Sequence, residues 1–331
     1  MGERVFVTGA TGRIGLPLVR ALRAAGHEVA GLTRTDAGSE ALTALGAQVV
    51  RGNMDDAEAL RRGAEGAEVV YHLAGGVRGP GRITPDLLNR RGTELVIAAC
   101  AGVPTLRAFV YASSCAVYGD RSNLWVEEDF EPSPNTRYGR SKADAEALVR
   151  ASTARGDLPG VIARIAAVYG KGFPFMMEEP IRLGRGLLPG EGRNHVPTIH
   201  IDDCVAALQV IAAKGRRGEV YHVADRAQPQ LKELYALVAA ATGGRAPTFW
   251  STYIPSYVQL SAARQNERLW SRLGVKPRFT PDNIRHYTNS VRLRTERLAK
   301  ELGFGWKYPD PKTACPQCSC PTLDPPDVPR I

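Results

Sequence analysis

Arg4-Val-Phe-Val-Thr8 runs directly into Gly9-Ala-Thr-Gly-Arg-Ile-Gly15 and from there into Leu16-Pro-Leu-Val-Arg-Ala-Leu22. The first five residues read as a short strand. Ile14, Leu18 and Leu22 then recur every four residues, the apolar stripe of a helix packed on one face. Glycines at 9, 12 and 15 lie between the two. Gly9 permits a tight turn, Gly12 lets the backbone approach a pyrophosphate, and Gly15 allows close helix–strand packing, while free N–H groups and the helix dipole attract an anion. A glycine-rich turn alone is weak evidence. With a strand before it and a helix after it, the segment reads as a dinucleotide-binding loop rather than a fortuitous turn.

The same alternation continues along the chain. Strand-like runs at Arg4–Thr8, Glu28–Thr33, Gln48–Arg51, Glu68–Leu73, Ala108–Ser113 and Gly160–Ile165 are separated by helical stripes such as Leu88, Val96 and Cys100. This predicts an α/β fold with a Rossmann-type, doubly wound parallel sheet covered on both faces. At 331 residues a single core is near its practical limit, so a second lobe is expected. After Tyr169 the Gly- and Pro-containing stretches 171–174 and 184–197 mark the start of a smaller, mainly helical substrate lobe. Thr198–Ala213 followed by Glu219–Val223 returns the chain to the sheet, and helices over Gln230–Thr242, Pro255–Leu273 and Pro281–Leu302 complete the lobe. The expected division is a cofactor domain over 1–168 completed by 196–225, a lobe over 169–195 and 226–308, and a tail over 309–331. That tail holds seven of the 23 prolines and is expected to be irregular.

Composition narrows the class. With 44% hydrophobic and 23% charged residues, the chain is neither disordered nor a small stapled scaffold. Its longest uncharged apolar runs, Val96–Ala101 and Val205–Ala213, fall short of the roughly 20 residues a bilayer demands. A strand from the first residues leaves no signal-peptide pattern, so a cytoplasmic protein is expected. Six cysteines are too sparse for a disulfide framework, and Cys100, Cys115 and Cys204 read as reduced core residues. The charge of +9 suits a phosphorylated cofactor, an acidic metabolite or nucleic acid, but the basic residues form no run. A solvated basic surface is the simpler reading, and neither nucleic acid nor a membrane is an expected partner.

Where a carboxylate would bond an adenine ribose 2′-hydroxyl, the second strand ends in Leu32-Thr33-Arg34. Arg34, helped by Arg13, can meet a 2′-phosphate instead, which favours NADP over NAD; the alternative is two surface arginines. Tyr138-Gly-Arg-Ser-Lys142 opens a helix expected to run to Ala154, and its spacing of four puts phenol and ammonium on one face. A phenol with an ordinary pKa of about 10 needs a neighbouring cation to exchange protons near neutrality. Ser113-Ser114-Cys-Ala-Val-Tyr-Gly119 adds weight, because α/β sheets build their sites at strand C-terminal ends.

Taken together, these segments resemble the extended short-chain dehydrogenase/reductases, the NAD(P)-dependent epimerase/dehydratase-like superfamily. Thr8–Gly15 matches TGxxGxxG, Asn89–Thr93 matches NxxGT, Ser113–Gly119 matches SSxxVYG and Tyr138–Lys142 matches YxxxK. Leu73-Ala74-Gly75, Arg164–Gly170 and His200–Asp203 resemble further family segments, so the likeness covers about Val5 to Val223. The resemblance implies Tyr138 as catalytic acid/base, Lys142 as the group that lowers its pKa and holds the nicotinamide ribose, and Ser114 as the hydrogen-bond partner of the reacting oxygen. It implies cofactor contacts at Gly9, Thr11, Gly12, Arg13, Ile14, Gly15, Arg34, Asn53, Met54, Leu73, Ala74, Gly75, Asn89, Tyr138, Lys142, Ile165 and Val168. Asn53 stands where an Asp is usual at the adenine turn, and its amide can still accept a hydrogen bond. The resemblance also implies a homodimer through the helices near Leu87–Cys100 and Thr136–Ala154. It makes His200, Asp202 and Asp203 structural rather than metal ligands, and no metal site is expected.

Departures from the pattern bear on substrate. Ala167 stands where nucleotide-sugar members usually carry an Asn, and Val196-Pro-Thr-Ile-His200 lacks their usual Arg. Two diphosphate contacts are thus missing. The chain looks more like the dihydroflavonol-reductase and hydroxysteroid-dehydrogenase-like branch, an NAD(P)-dependent oxidoreductase acting on a small-molecule carbonyl/alcohol pair. The competing readings are a nucleotide-sugar epimerase or dehydratase with retained NAD, and a non-catalytic NADP-sensing or RNA-binding relative. Phe173, Phe175, Phe249, Trp250, Tyr253, Tyr257 and Trp270 are expected as core of the lobe, or else as lining of an apolar cleft. Cys315-Pro-Gln-Cys318-Ser-Cys320 reads as a tail with reactive thiols, because a zinc site would want a fourth ligand.

Overall fold

A computed structural model of the chain describes residues 2–76, 87–122, 124–171, 173, 181, 183, 188–189, 191–246, 253–254, 256–272 and 280–314. Seven strands form one sheet: β1 (Arg4–Thr8), β2 (Glu28–Thr33), β3 (Gln48–Arg51), β4 (Val69–His72), β5 (Ala108–Ser114), β7 (Gly160–Ile165) and β11 (Val220–Val223). β6 (Trp125–Val126), β8 (Ala167–Tyr169), β9 (Leu188–Pro189) and β10 (Thr198–His200) lie outside it. The sheet order is β11-β7-β5-β4-β1-β2-β3, and every pairing in it is parallel. Near-continuous apolar strands such as Ala-Phe-Val-Tyr-Ala at 108–112 are what a sheet buried on both faces requires.

Helices α1 (Gly15–Ala24), α2 (Asp36–Ala44), α3 (Ala57–Ala64), α4 (Gly92–Cys100), α5 (Arg137–Ala154) and α6 (Ile201–Lys214) flank the sheet. Two apolar layers result. One joins Leu18, Leu22 and Leu208 to Val7, Val110 and Ala163. The other joins Leu60, Val96 and Val149 to Phe6, Val70 and Ile162.

The lobe is built from α7 (Leu231–Thr242), β12 (Tyr253–Ile254), α8 (Ser256–Arg272) and α9 (Pro281–Thr288). Its described core is small: Ile181, Leu188, Leu231, Tyr235 and Ala239. The single helix expected over Pro281–Leu302 is corrected to α9, strand β13 (Arg292–Leu293) and α10 (Glu296–Leu302). Tertiary pairing overrides the helical pattern there, since β13 docks in parallel on β6 and Leu293 is fully buried. The tail is corrected at its start. Pro309 O accepts from Arg226 N at 3.0 Å and Ala227 N at 3.1 Å, and α11 (Pro311–Ala314) packs with Ala314 buried. Cys315, Cys318 and Cys320 lie outside the described residues. So do Phe175, Phe249 and Trp250. Tyr257, 74% exposed, and Trp270 do not belong to the lobe core as expected, and Phe173 packs against the main core instead.

No helix among the described residues is long and apolar enough to cross a membrane.

Candidate active site

The order of the sheet reverses at β1, which has β2 on one side and β4 on the other. Open α/β sheets bind ligands in a crevice at such a point, and the loops that follow β1 and β4 lie there. Gly9 has φ +70°, and a Cβ on it would stand 2.7 Å from the Ala74 nitrogen. A Cβ on Gly15 would collide with the Gly9 carbonyl. Gly12 N donates to Gly9 O at 2.9 Å and closes the turn. After β4, a Cβ on Gly75 would meet Asn89 Oδ1 at 2.5 Å and Lys142 Nζ at 3.2 Å. Gly9, Gly15 and Gly75 thus let these segments pack closer than any side chain would allow.

Thr35 caps α2, accepting from Gly38 N at 3.1 Å, and Thr11 of the glycine loop packs against that turn. Arg13 and Arg34 are exposed and make no ion pair among the described residues. Asp36, the nearby carboxylate, is held by Arg51 at 3.0 Å. Asn53 Oδ1 accepts from Asp55 N at 2.7 Å in a local turn, which leaves one of its two lone pairs free. Met54 is half-buried beside Gly92.

Ser114 stands where β5 ends, and Tyr138 and Lys142 stand on α5. Thr136 caps this helix through Gly139 N at 3.1 Å, which sets Tyr138 in its first turn. Ser114 lies beside Tyr138, and its hydroxyl favours the phenolate. Burial outweighs it and pushes the phenol up to about 12. Lys142 is not among the groups that shift the phenol here. The Lys142 ammonium instead donates to Ala112 O at 2.7 Å and lies 4.9 Å above the Tyr111 ring. Burial pushes Lys142 down to about 8, with Glu146 pulling it back up.

Other expected residues take supporting places. Asn89 is buried, and its amide is spent: Oδ1 accepts from Gly76 N at 3.1 Å, while Nδ2 donates to Gly76 O at 3.3 Å and Ser141 Oγ at 2.8 Å. It holds the backbone that follows β4. Leu73 and Ala74 are half-buried in that segment, Ile14 and Val168 pack against the main core, and Ile165 lies within it. His200 caps α6 by accepting from Asp202 N at 3.2 Å and is flanked by Tyr169 and Tyr308. Cys100 and Cys204 are buried, but Cys115 is corrected from core to half-buried, and its charge would oppose ionisation of Tyr138.

The expectations missed Glu146 and Arg164. Arg164 Nε and Nη2 bind Glu146 Oε1 and Oε2 at 3.0 and 2.7 Å, both side chains fully buried, and Ser113 Oγ donates to Glu146 Oε1 at 2.5 Å. Positions 138, 142 and 146 lie on one helical face, and that spacing was the available signal.

A nicotinamide dinucleotide fits this donor set. The glycine turn leading into α1 suits a pyrophosphate, and Ser114, Tyr138 and Lys142 stand at the C-terminal end of the same sheet. Among the described residues no three metal-ligating side chains cluster.

Known proteins point the same way. The chain is 29% identical over 312 residues, 91% of each chain, to 4-hydroxy-2-methyl-3-oxo-4-farnesyl-3,4-dihydroquinoline-1-oxide ketoreductase of Stigmatella aurantiaca. It is 31% identical over 317 residues to sterol demethylase protein B of Methylococcus capsulatus, covering 90% of this chain and 92% of that one. MoeE5, solved in complex with UDP-glucose and NAD, superposes with a TM-score of 0.70 at 26% identity, over 93% of this chain and 95% of that one. The model of the NAD dependent epimerase/dehydratase family matches residues 5–224. With its glycine loop at the sheet's switch point and its Tyr–Lys helix beside it, the chain belongs to that family, as an NAD(P)-dependent oxidoreductase of the extended short-chain dehydrogenase/reductase type.

Proposed function

We propose that the protein is an NADP-dependent reductase of a small, partly apolar ketone. The observation that carries this reading is the placement of Ser114, at the C-terminal end of β5, beside a buried Tyr138 and a Lys142 whose ammonium is tied to the same strand at Ala112 O. The bound cofactor supplies the hydride. Ser114 orients the substrate oxygen, and Tyr138 gives that oxygen its proton as negative charge develops on it. A phenol held at about 12 is protonated at neutral pH, which suits an acid and therefore the reducing direction. Lys142 places a positive charge beside the reacting end and a donor for a ribose hydroxyl.

Arg34 and Arg13 support NADP. With Asp36 engaged by Arg51, both arginines are available to a 2′-phosphate. The ketoreductase relative, similar over 91% of each chain, supports a carbonyl substrate. Ala167 and the Val196–His200 segment offer no diphosphate contacts, which weighs against a nucleotide sugar. A homodimer is supported by the small residues Ala147, Ala151 and Ala154 exposed on α5. Three unpaired cysteines among the described residues fit a cytoplasmic setting.

The test is NADPH oxidation against a panel of aliphatic and aromatic ketones, run beside NADH, with the purified protein assayed for retained cofactor. Ketone-dependent NADPH consumption supports the reading. Tightly retained NAD with epimerisation of a nucleotide sugar and no ketone turnover overturns it.

A further inference from the structure

His72 is a fully buried imidazole at the end of β4 that the reaction does not use. Its Nδ1 lies 2.7 Å from Thr8 Oγ1, at the end of β1, and its Nε2 lies 2.9 Å from Thr93 Oγ1 on α4. The direction of each bond follows from the neighbours. Thr93 spends its one hydroxyl proton on Asn89 O at 2.6 Å, so it accepts from His72 and the imidazole carries its proton on Nε2. Nδ1 then accepts from Thr8, whose oxygen receives Ala74 N at 3.3 Å. Beyond Thr93, Asn89 Nδ2 donates to Ser141 Oγ, and Ser141 donates to Tyr138 O at 2.8 Å.

The chain of partners runs from the backbone beside Gly9 and Ala74, through His72, to the carbonyl of the catalytic tyrosine. We propose that His72, as the neutral Nε2–H tautomer, is a positioning residue that sets the glycine loop and the first turn of α5 in register. Its ring also lies 5.5 Å from that of Tyr111, which carries the Lys142 ammonium, so a second positive charge there would be opposed. Burial first, and Lys142 second, hold the imidazole down to about 3. The remaining ring neighbour, Phe109, brings no charge.

The kinetic part of the proposal rests on Tyr138 as proton donor; the structural part does not, and the experiment separates them. Nitrogen-15 spectra of histidine-labelled full-length protein should show His72 with Nε2 protonated, Nδ1 unprotonated and no titration between pH 5 and 8. A protonated Nδ1, or a midpoint near pH 6.5, overturns the proposal without any substrate. His72→Leu and Thr93→Val should each weaken NADPH binding and lower kcat by roughly tenfold or more, with the ketone KM little changed. The double variant should be no worse than the worse single one, and His72→Gln should recover most of the loss. Folded single variants with unaltered NADPH affinity and kcat, or effects that simply add, overturn the proposal. If NADPH affinity falls as expected but no variant, Tyr138→Phe included, changes turnover, the assigned proton donor fails and the positioning role stands. If His72→Leu does not fold, the wild-type spectra and Thr93→Val decide.

Discussion

Lys142 Nζ donates to the Ala112 carbonyl at 2.7 Å, two residues before Ser114 on the same strand. The bond ties α5 to β5 at the level of the reacting groups. Glu146, one turn further along α5, supplies the opposing charge and is itself fixed by Arg164 at 2.7 Å.

A pH profile follows from Lys142. Its ammonium is pushed down to about 8 by burial, so it is charged below that pH and neutral above it. The kcat/KM for ketone reduction should hold level from pH 6 to 7 and fall through a midpoint near 8. Glu146→Gln removes the charge that raises the Lys142 pKa, so the falling limb should move to lower pH. Loss of one partner from a buried pair should also cost about 3–5 kcal/mol, visible as a lower Tm.

Tyr138→Phe keeps the ring and removes the proton. Turnover should drop by roughly 10²–10⁴-fold. NADPH affinity, measured by fluorescence titration, should stay largely unchanged. Retained activity would remove Tyr138 as the proton donor.

Arg34→Ala should weaken NADPH binding about tenfold or more, the loss expected for a charge-assisted contact, and leave NADH binding nearly unchanged. Titration with both cofactors reads the ratio directly. Equal losses for the two would place Arg34 away from the 2′-phosphate.

Asp225, fully buried, accepts from Thr198 Oγ1 at 2.8 Å and His200 N at 3.4 Å, yet burial pushes it up to about 7 from 3.8. At pH values between these figures the unfolded chain is ionised while the fold keeps the proton. This contribution is therefore present at low pH and lost as pH rises toward 7. Asp225→Asn should flatten the fall in Tm between pH 4 and 7, as thermal unfolding at several pH values would show.

The extent of the sheet was legible in the sequence because a strand buried on both faces must be apolar along its length; Ala108–Ser114 and Gly160–Ile165 announce themselves. The cofactor loop was legible for a related reason: Gly9 and Gly15 occupy places where no other side chain fits. The division of Pro281–Leu302 was not, because Leu293 becomes a strand only by pairing with β6, a partner more than 160 positions away along the chain.

The sequence by itself determined which residues could do chemistry, since the spacing of Tyr138 and Lys142 and the doublet Ser113–Ser114 are properties of local order. Only the tertiary structure decided their electrostatics. It commits the Lys142 ammonium to Ala112, raises Tyr138 by burial rather than lowering it by charge, and brings Glu146, Arg164 and His72 in around them. A pKa depends on which groups displace water from a side chain, and those groups come from strands and helices distant in sequence.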